Sequence, residues 1–368
     1  METPAQPQHR LQPPPPLTTT ITTTTTATTT TTTTQLNIPP PQTALSLLPQ
    51  SITRHHHQQS RRKFPTGCAA FDEHVLLGGL NGGSVVGISS EDDEFSFTLA
   101  LQTMAVSLGG EGDEDTTTAA LVVTTLPVQS LLPRLREVLV EQLAKRAPLL
   151  LTADLNTRVK DCLSRISIAR VFDLEGVGEV LEELVLQQRQ QQQQQSNCGA
   201  KPPDVVVVMG MAGLMNNLFS SRPGDKAAAH SYVGELASRL EGVTALGGDG
   251  GPLVVLLNST TTTTTTTVVG GDDEGTGRSV FQMERGRGRG SRPAWGRVFD
   301  GLVGVHLFCG RRGGIAKKGW VVEVLGDEVG VYFTTEGGME EEVWTRRNRE
   351  QRWGVLEGRG GGVVDVLL

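Results

Sequence analysis

From residue 64 onward, short apolar runs alternate with longer stretches in which apolar residues recur every third or fourth position. The first kind reads as strand and the second as amphipathic helix. The pattern predicts strands at 83–88, 119–125 (AALVVTT), 165–172 (RISIARVF), 204–209 (DVVVVM) and 252–258 (PLVVLLN). Helices are predicted between them at 95–108, 128–145, 177–188 and 232–240. In the second helix Leu131, Leu132, Leu135, Val138 and Leu139 are placed on one side. The unbroken valine runs imply strands buried on both faces, as in a parallel sheet. After residue 301 only short strands follow: LVGVHLF, GWVVEVL, VGVYF, and a final pair around WGVLEG and GVVDVL joined by a turn at 358–362. The expected fold is α/β, a mostly parallel doubly wound sheet with an antiparallel region at its C-terminal end.

Residues 1–62 break this rhythm. They hold Pro13-Pro14-Pro15-Pro16, a Thr tract at 18–34 and His55-His56-His57. Such a Pro/Thr/Gln/His-rich stretch buries too little apolar area to offset chain entropy, so it is expected to be a disordered tail, with a single domain over 63–368. Arg61-Arg62-Lys63 is a short basic cluster of the kind found in nuclear-import signals. Two low-complexity insertions, at 187–200 and 259–291, fall between predicted elements, where added length costs little.

Composition narrows the function classes. The formal net charge is −7, so any nucleic-acid contact must come from a local basic patch rather than from the whole surface. The four cysteines, Cys68, Cys162, Cys198 and Cys309, form no C-x-x-C pair and have no His at metal-ligand spacing. They read as reduced thiols of a reducing compartment. No apolar stretch reaches the roughly 18 residues of a membrane span, and no signal-peptide pattern opens the chain, which leaves cytosol or nucleus as the expectation.

Several short motifs occur in an order similar to that of a known family. Thr66-Gly67-Cys68-Ala69-Ala70-Phe71-Asp72 is followed by Leu77-Gly78-Gly79-Leu80 entering the first strand. The segment RISIARVFDLEGVGEVLEEL comes next, then PLVVLLN ending in Asn258, then Arg292-Pro293-Ala294-Trp295-Gly296. The chain closes with Trp353-Gly354-Val355 and Val363-Val364-Asp365. Together these resemble the core domain of the RecA-like recombinases, in particular the eukaryotic strand-exchange recombinases and their paralogs. The resemblance covers roughly 64–368 and implies a RecA-like P-loop NTPase core.

The family is a DNA-dependent ATPase with ATP and Mg²⁺ as cofactors, and this chain departs from it where the chemistry should be. A P-loop, Gly-x-x-x-x-Gly-Lys-Ser/Thr, uses glycines to let backbone N–H groups wrap phosphates, a Lys to neutralise charge and a hydroxyl to hold Mg²⁺. The matching stretch is Ser90-Glu91-Asp92-Asp93-Glu94-Phe95-Ser96-Phe97. Ser90 and Phe95 replace the glycines, Ser96 stands at the Lys position and Phe97 at that of the Mg²⁺ ligand. Thr124-Thr125-Leu126-Pro127 supplies no catalytic acid after the second strand. Met209 or Gly210 replaces the Mg²⁺-holding Asp, and Ser259 replaces the Gln after Asn258. Phosphoryl transfer depends on these electrostatic groups, so no catalytic residue, no bound ATP and no metal are expected.

The family contacts single strands through two loops, which correspond here to 213–230 and to the stretch ending at Arg292. The second contains Arg285, Arg287, Arg289 and Arg292 in an Arg-Gly alternation, an exposed cation strip suited to phosphate contact, with Phe281 as a further stacking surface. The resemblance therefore implies a nuclear accessory protein of homologous recombination and DNA repair. Its implied partners are other RecA-like subunits and single-stranded DNA, with no membrane. Two alternatives stay open on the sequence: a divergent DNA-dependent ATPase of the same family, and a protein-interaction scaffold without DNA contact.

Overall fold

The computed structural model describes residues 62–109, 118–148, 152–194, 202–222, 224–246, 250–263, 290–311, 319–327, 331–333, 342–344 and 352–366. The chain divides into two units, Met1–Gln50 and Ser51–Leu368, and every described residue belongs to the second.

Its centre is one large sheet. Strands β3 (Val85–Ser90), β4 (Ala120–Thr124), β5 (Ile166–Arg170), β6 (Val205–Val208), β7 (Leu253–Thr263) and β9 (Val305–Arg311) run parallel in the order β5-β4-β6-β7-β3-β9. The sheet continues antiparallel from β9 through β10 (Gly319–Asp327) and β13 (Trp353–Arg359) to β14 (Gly362–Asp365). A short strand β8 (Gly290–Pro293) pairs antiparallel with the outer end of β7. Two small ribbons complete the strands, β1 (Lys63–Phe64) with β2 (Leu80–Asn81), and β11 (Val331–Phe333) with β12 (Glu342–Trp344). The protein is thus α/β, with a mostly parallel central sheet and antiparallel C-terminal strands.

Helices cover both faces. On one lie α1 (Ala69–His74), α2 (Asp93–Leu108), α3 (Val128–Arg146) and α4 (Thr152–Ser164). On the other lie α5 (Leu174–Gln194), α6 (Met211–Ser221), α7 (Lys226–Thr244) and α8 (Gly296–Asp300). The central strands are therefore buried on both faces. Val205 and Val207 join the first core, while Val206 and Val208 join the second. A strand buried on both faces reads as a continuous apolar run, which is why DVVVVM is so plain in the sequence. Helix α2 is the centre of the first layer, buried from Phe95 through Val106 but for Thr98. On the opposite side Gly87 lets α8 lie against the sheet, because a Cβ there would stand 2.6 Å from Phe299 Cε1 and 2.8 Å from Val303 Cγ1.

Several expectations are corrected. Leu132 is 43% exposed and leaves the stripe that Leu131, Leu135, Val138 and Leu139 form. Helix α5 continues through the glutamine tract to Gln194, since Gln is a good helix former and nothing stops it. Strand β7 likewise runs into the threonine tract as far as Thr263, because β-branched Thr suits an extended backbone. The inserted stretches at 187–200 and 259–291 thus have structured ends. Helices α4 and α6 are additions to the predicted set. Arg62 belongs to the fold: its Nη1 lies 2.6 Å from Asp204 Oδ1, at the amino end of β6. No helix among the described residues is long and apolar enough to cross a membrane.

Candidate functional site

In an open parallel sheet, ligands bind at the carboxyl ends of the strands. Strand β3 ends at Ser90 and α2 begins at Asp93, so only Glu91 and Asp92 stand between them. A phosphate-binding loop also joins a strand to a helix, through a longer glycine-rich turn; two residues are too few to wrap a phosphate.

The turn is held by its own side chains. Asp92 Oδ1 accepts the Glu94 N–H at 3.0 Å and caps the helix, while the Asp92 N–H donates to Ser90 Oγ at 3.1 Å. Glu91 is stitched to β9: its N–H donates to the Cys309 carbonyl at 3.0 Å, and its Oε2 accepts the Arg311 N–H at 2.8 Å. Asp93 and Glu94 in the first turn complement the positive helix end. The amides of Glu91, Asp92 and Glu94 are therefore all taken up within the chain, that of Glu94 by a carboxylate, and the helix dipole faces acids of its own first turn.

The remaining residues of the stretch are packed inside. Phe95, Ser96 and Phe97 are buried, and Ser96 Oγ donates to the Asp93 carbonyl at 3.0 Å. Phe95 stacks on Trp320, with centroids 4.9 Å apart and planes at 25°. The Arg311 guanidinium lies 4.6 Å above the indole of Trp320 and 3.6 Å from Asp92 Oδ2. Above the turn is an open cleft of ≈ 440 Å³, lined by Glu91, Asp92, Asp93, Ser259, Arg311 and Trp320. Among the described residues, three carboxylates and one guanidinium line it, an acidic balance. A like-charge contact near 4 Å opposes an incoming anion by about 1–4 kcal/mol. Among the described residues no group of three or more His, Cys, Asp or Glu side chains could hold a metal ion.

The other positions singled out in the sequence fall at the same edge. Thr124 and Met209 are at the ends of β4 and β6, where the Met209 N–H donates to the Val123 carbonyl. Asn258 pairs with Ser89, and Ser259 with Ser90. Asp204 is at the far end, where it accepts from Arg62 and from the Ala119 N–H at 3.1 Å.

Sequence reasoning missed a buried polar chain directly behind the turn. Asn258 Nδ2 donates to the Ala294 carbonyl at 2.8 Å and to Ser89 Oγ at 3.1 Å. The Ser89 hydroxyl then has its proton for His306 Nε2, 2.8 Å away, and His306 Nδ1 faces Asp300 Oδ1 at 2.6 Å. With Nε2 accepting, the ring proton sits on Nδ1 and is donated to Asp300. These are the residue types of a nucleophile–base–acid triad. Ser89 is 0% exposed and His306 1%, so the hydroxyl is sealed from solvent, and the chain of bonds ties β7, β3, β9 and α8 together. No local signal could have found it, because Ser89 and His306 are 217 positions apart.

The expected strand-binding residues divide. Arg292 is exposed on β8, opposite Thr261. Arg285, Arg287, Arg289 and Phe281 lie outside the described residues. The span 213–230, expected as a loop, is instead mostly the body of α6 and the first turn of α7. Its Arg222 pairs with Glu175, and Asp225 caps α7 through the Ala228 N–H at 2.9 Å.

No protein-family model matches the chain, and no curated protein matches it.

Proposed function

We propose that the protein is a RecA-like recombinase paralog that assists DNA repair by homologous recombination without hydrolysing ATP. It acts in the nucleus beside another RecA-like subunit and contacts single-stranded DNA. One observation carries the non-catalytic part: the phosphate-binding turn is reduced to Glu91 and Asp92 and capped by the Asp92 carboxylate. Two others support the kinship. The strand–turn–helix unit stands where a P-loop would, at the carboxyl end of a parallel strand. The four places at which the sequence departs from the family's ATP-hydrolysing residues also fall on one sheet edge, at neighbouring strands β3, β4, β6 and β7.

The test is ATP turnover by the full-length protein with Mg²⁺ and single-stranded DNA, alongside binding of a fluorescent ATP analogue. No turnover and no saturable binding are expected. Turnover that scales with protein through successive purification steps would overturn the non-catalytic assignment in favour of a divergent DNA-dependent ATPase.

A further inference from the structure

The buried polar chain behind the β3–α2 turn has a fixed direction. His306 Nδ1 faces the Asp300 carboxylate at 2.6 Å, so a ring proton sits between them. With the ring neutral, Nε2 is a bare acceptor and takes the Ser89 proton at 2.8 Å. Ser89 Oγ keeps its lone pairs for Asn258 Nδ2, 3.1 Å away, and the second Nδ2 proton goes to the Ala294 carbonyl at 2.8 Å. Asn258 Oδ1 is buried and has no partner among the described residues.

The far end of this chain bears on an unusual piece of backbone. Trp295, next after Ala294, has φ 64° and ψ 4°, in the left-handed region that bulky L-residues avoid. Such a conformation persists only where the surroundings enforce it. Ala294 is held on both sides: its N–H donates to the Ser259 carbonyl at 2.9 Å, and its own carbonyl accepts from Asn258. Returning Trp295 to negative φ requires the Ala294–Trp295 peptide to turn. The Asn258 bond opposes that turn and keeps the indole stacked on Phe219, with centroids 4.5 Å apart and planes at 23°.

A second ring proton has no place in this arrangement. Charged His306 would offer Nε2–H to Ser89, so the hydroxyl must point its own proton elsewhere. The acceptor at hand is Asn258 Oδ1, and presenting it to Ser89 swings Nδ2 off the Ala294 carbonyl. The surroundings allow the ring a charge. Asp300 of α8 supplies the counter-charge and keeps 25% of its side chain exposed. The other charged residue of α8 is the exposed Arg297, and Phe299 meets the imidazole edge to face at 5.2 Å. Strand β3 brings no charge, only Ser89 and the register partner Gly87. On β10 the register partner is Gly326; the charged residues of that strand are Glu323, opposite Phe308, and Asp327, paired with Arg352. Arg311, at the far end of β9 itself, lies over Trp320.

We propose that His306 is a proton-operated latch. While its ring is neutral, Asn258 holds the left-handed turn at Trp295; when the ring is charged, the turn is released. Histidine is the side chain that ordinarily changes charge between about pH 5 and 8. A buried network of this kind has discrete arrangements, fully satisfied or not, so the release is two-state. The latch stands independently of the proposed role in recombination.

Tryptophan fluorescence of the full-length protein from about pH 8 to about pH 5, with far-UV circular dichroism alongside, tests it. The chain has four tryptophans, so the Trp295 signal is the difference between wild type and Trp295→Phe. The expected result is a reversible red shift of that signal on acidification, with the circular dichroism unchanged. His306→Phe should abolish the shift. Ser89→Ala should abolish it too, because a charged ring then has no hydroxyl to turn and Asn258 stays on Ala294. A constant Trp295 signal in folded wild-type protein would overturn the latch, and so would acid unfolding with no earlier change at Trp295. An undiminished shift in His306→Phe would overturn it by assigning the transition to another group. If His306→Phe does not fold, Ser89→Ala decides: a shift of wild-type size there overturns the latch.

Discussion

Asp92 Oδ1 accepts the backbone N–H of Glu94 at 3.0 Å. The helix end that a phosphate would occupy is thereby closed by a carboxylate two residues away. A helix cap of this kind contributes typically about 1 kcal/mol. Asp92→Ala is expected to lower stability by about that amount in urea unfolding, and to leave ATP binding absent. Binding gained on removing this one charge would mean that the turn is only masked, contrary to its two-residue length.

The tie behind the turn predicts a larger effect. Ser89→Ala leaves His306 Nε2 buried without a donor, a loss of about 1–3 kcal/mol. Because Ser89 and His306 share one bond, Ser89→Ala combined with His306→Phe should cost less than the sum of the two changes. Additive losses in thermal or urea unfolding would show that the two side chains do not act together.

Gly87 is a packing prediction. A Cβ there meets Phe299 and Val303 inside van der Waals contact, so Gly87→Ala should destabilise by about 1–3 kcal/mol. An unchanged unfolding midpoint would mean that α8 is free to move off the sheet.

Burial dominates the buried thiols. Cys68 is pushed up to about 12, chiefly by burial and further by Asp365 and Asp72, and Cys309 is raised by burial alone. The folded state holds the Cys68 proton that the unfolded chain releases near 9. The associated stability is full below that pH and is lost as pH rises toward 12. At pH 8 a variant with Cys198→Ala should react with iodoacetamide only as fast as it unfolds. Rapid alkylation of the folded Cys198→Ala variant would contradict the buried placement of Cys68, Cys162 and Cys309.

The sheet was legible wherever burial on both faces left no polar position, as at Val205–Val208. Helix α4 was not, because only Val159 and Cys162 of its thirteen residues are buried and the stripe is thin. Helix α6 was readable and overlooked. Met211, Leu214, Met215 and Leu218 recur at helical spacing, but the family resemblance assigned that stretch to a loop. The β3–α2 turn was visible as four consecutive acids at 91–94, though its capping geometry was not. The Asn258–Ser89–His306–Asp300 chain and the Phe219–Trp295 stack exist only through long-range contacts, which periodicity does not encode.

The proposed place in recombination is tested most directly by affinity purification of the full-length protein from cells treated with a double-strand-break agent, followed by mass spectrometry of what co-purifies. Recovery of RecA-like subunits, retained after nuclease treatment, is the expected result. Recovery of a reproducible partner set with no recombination protein in it would contradict the proposed function and leave the α/β fold as the only common ground.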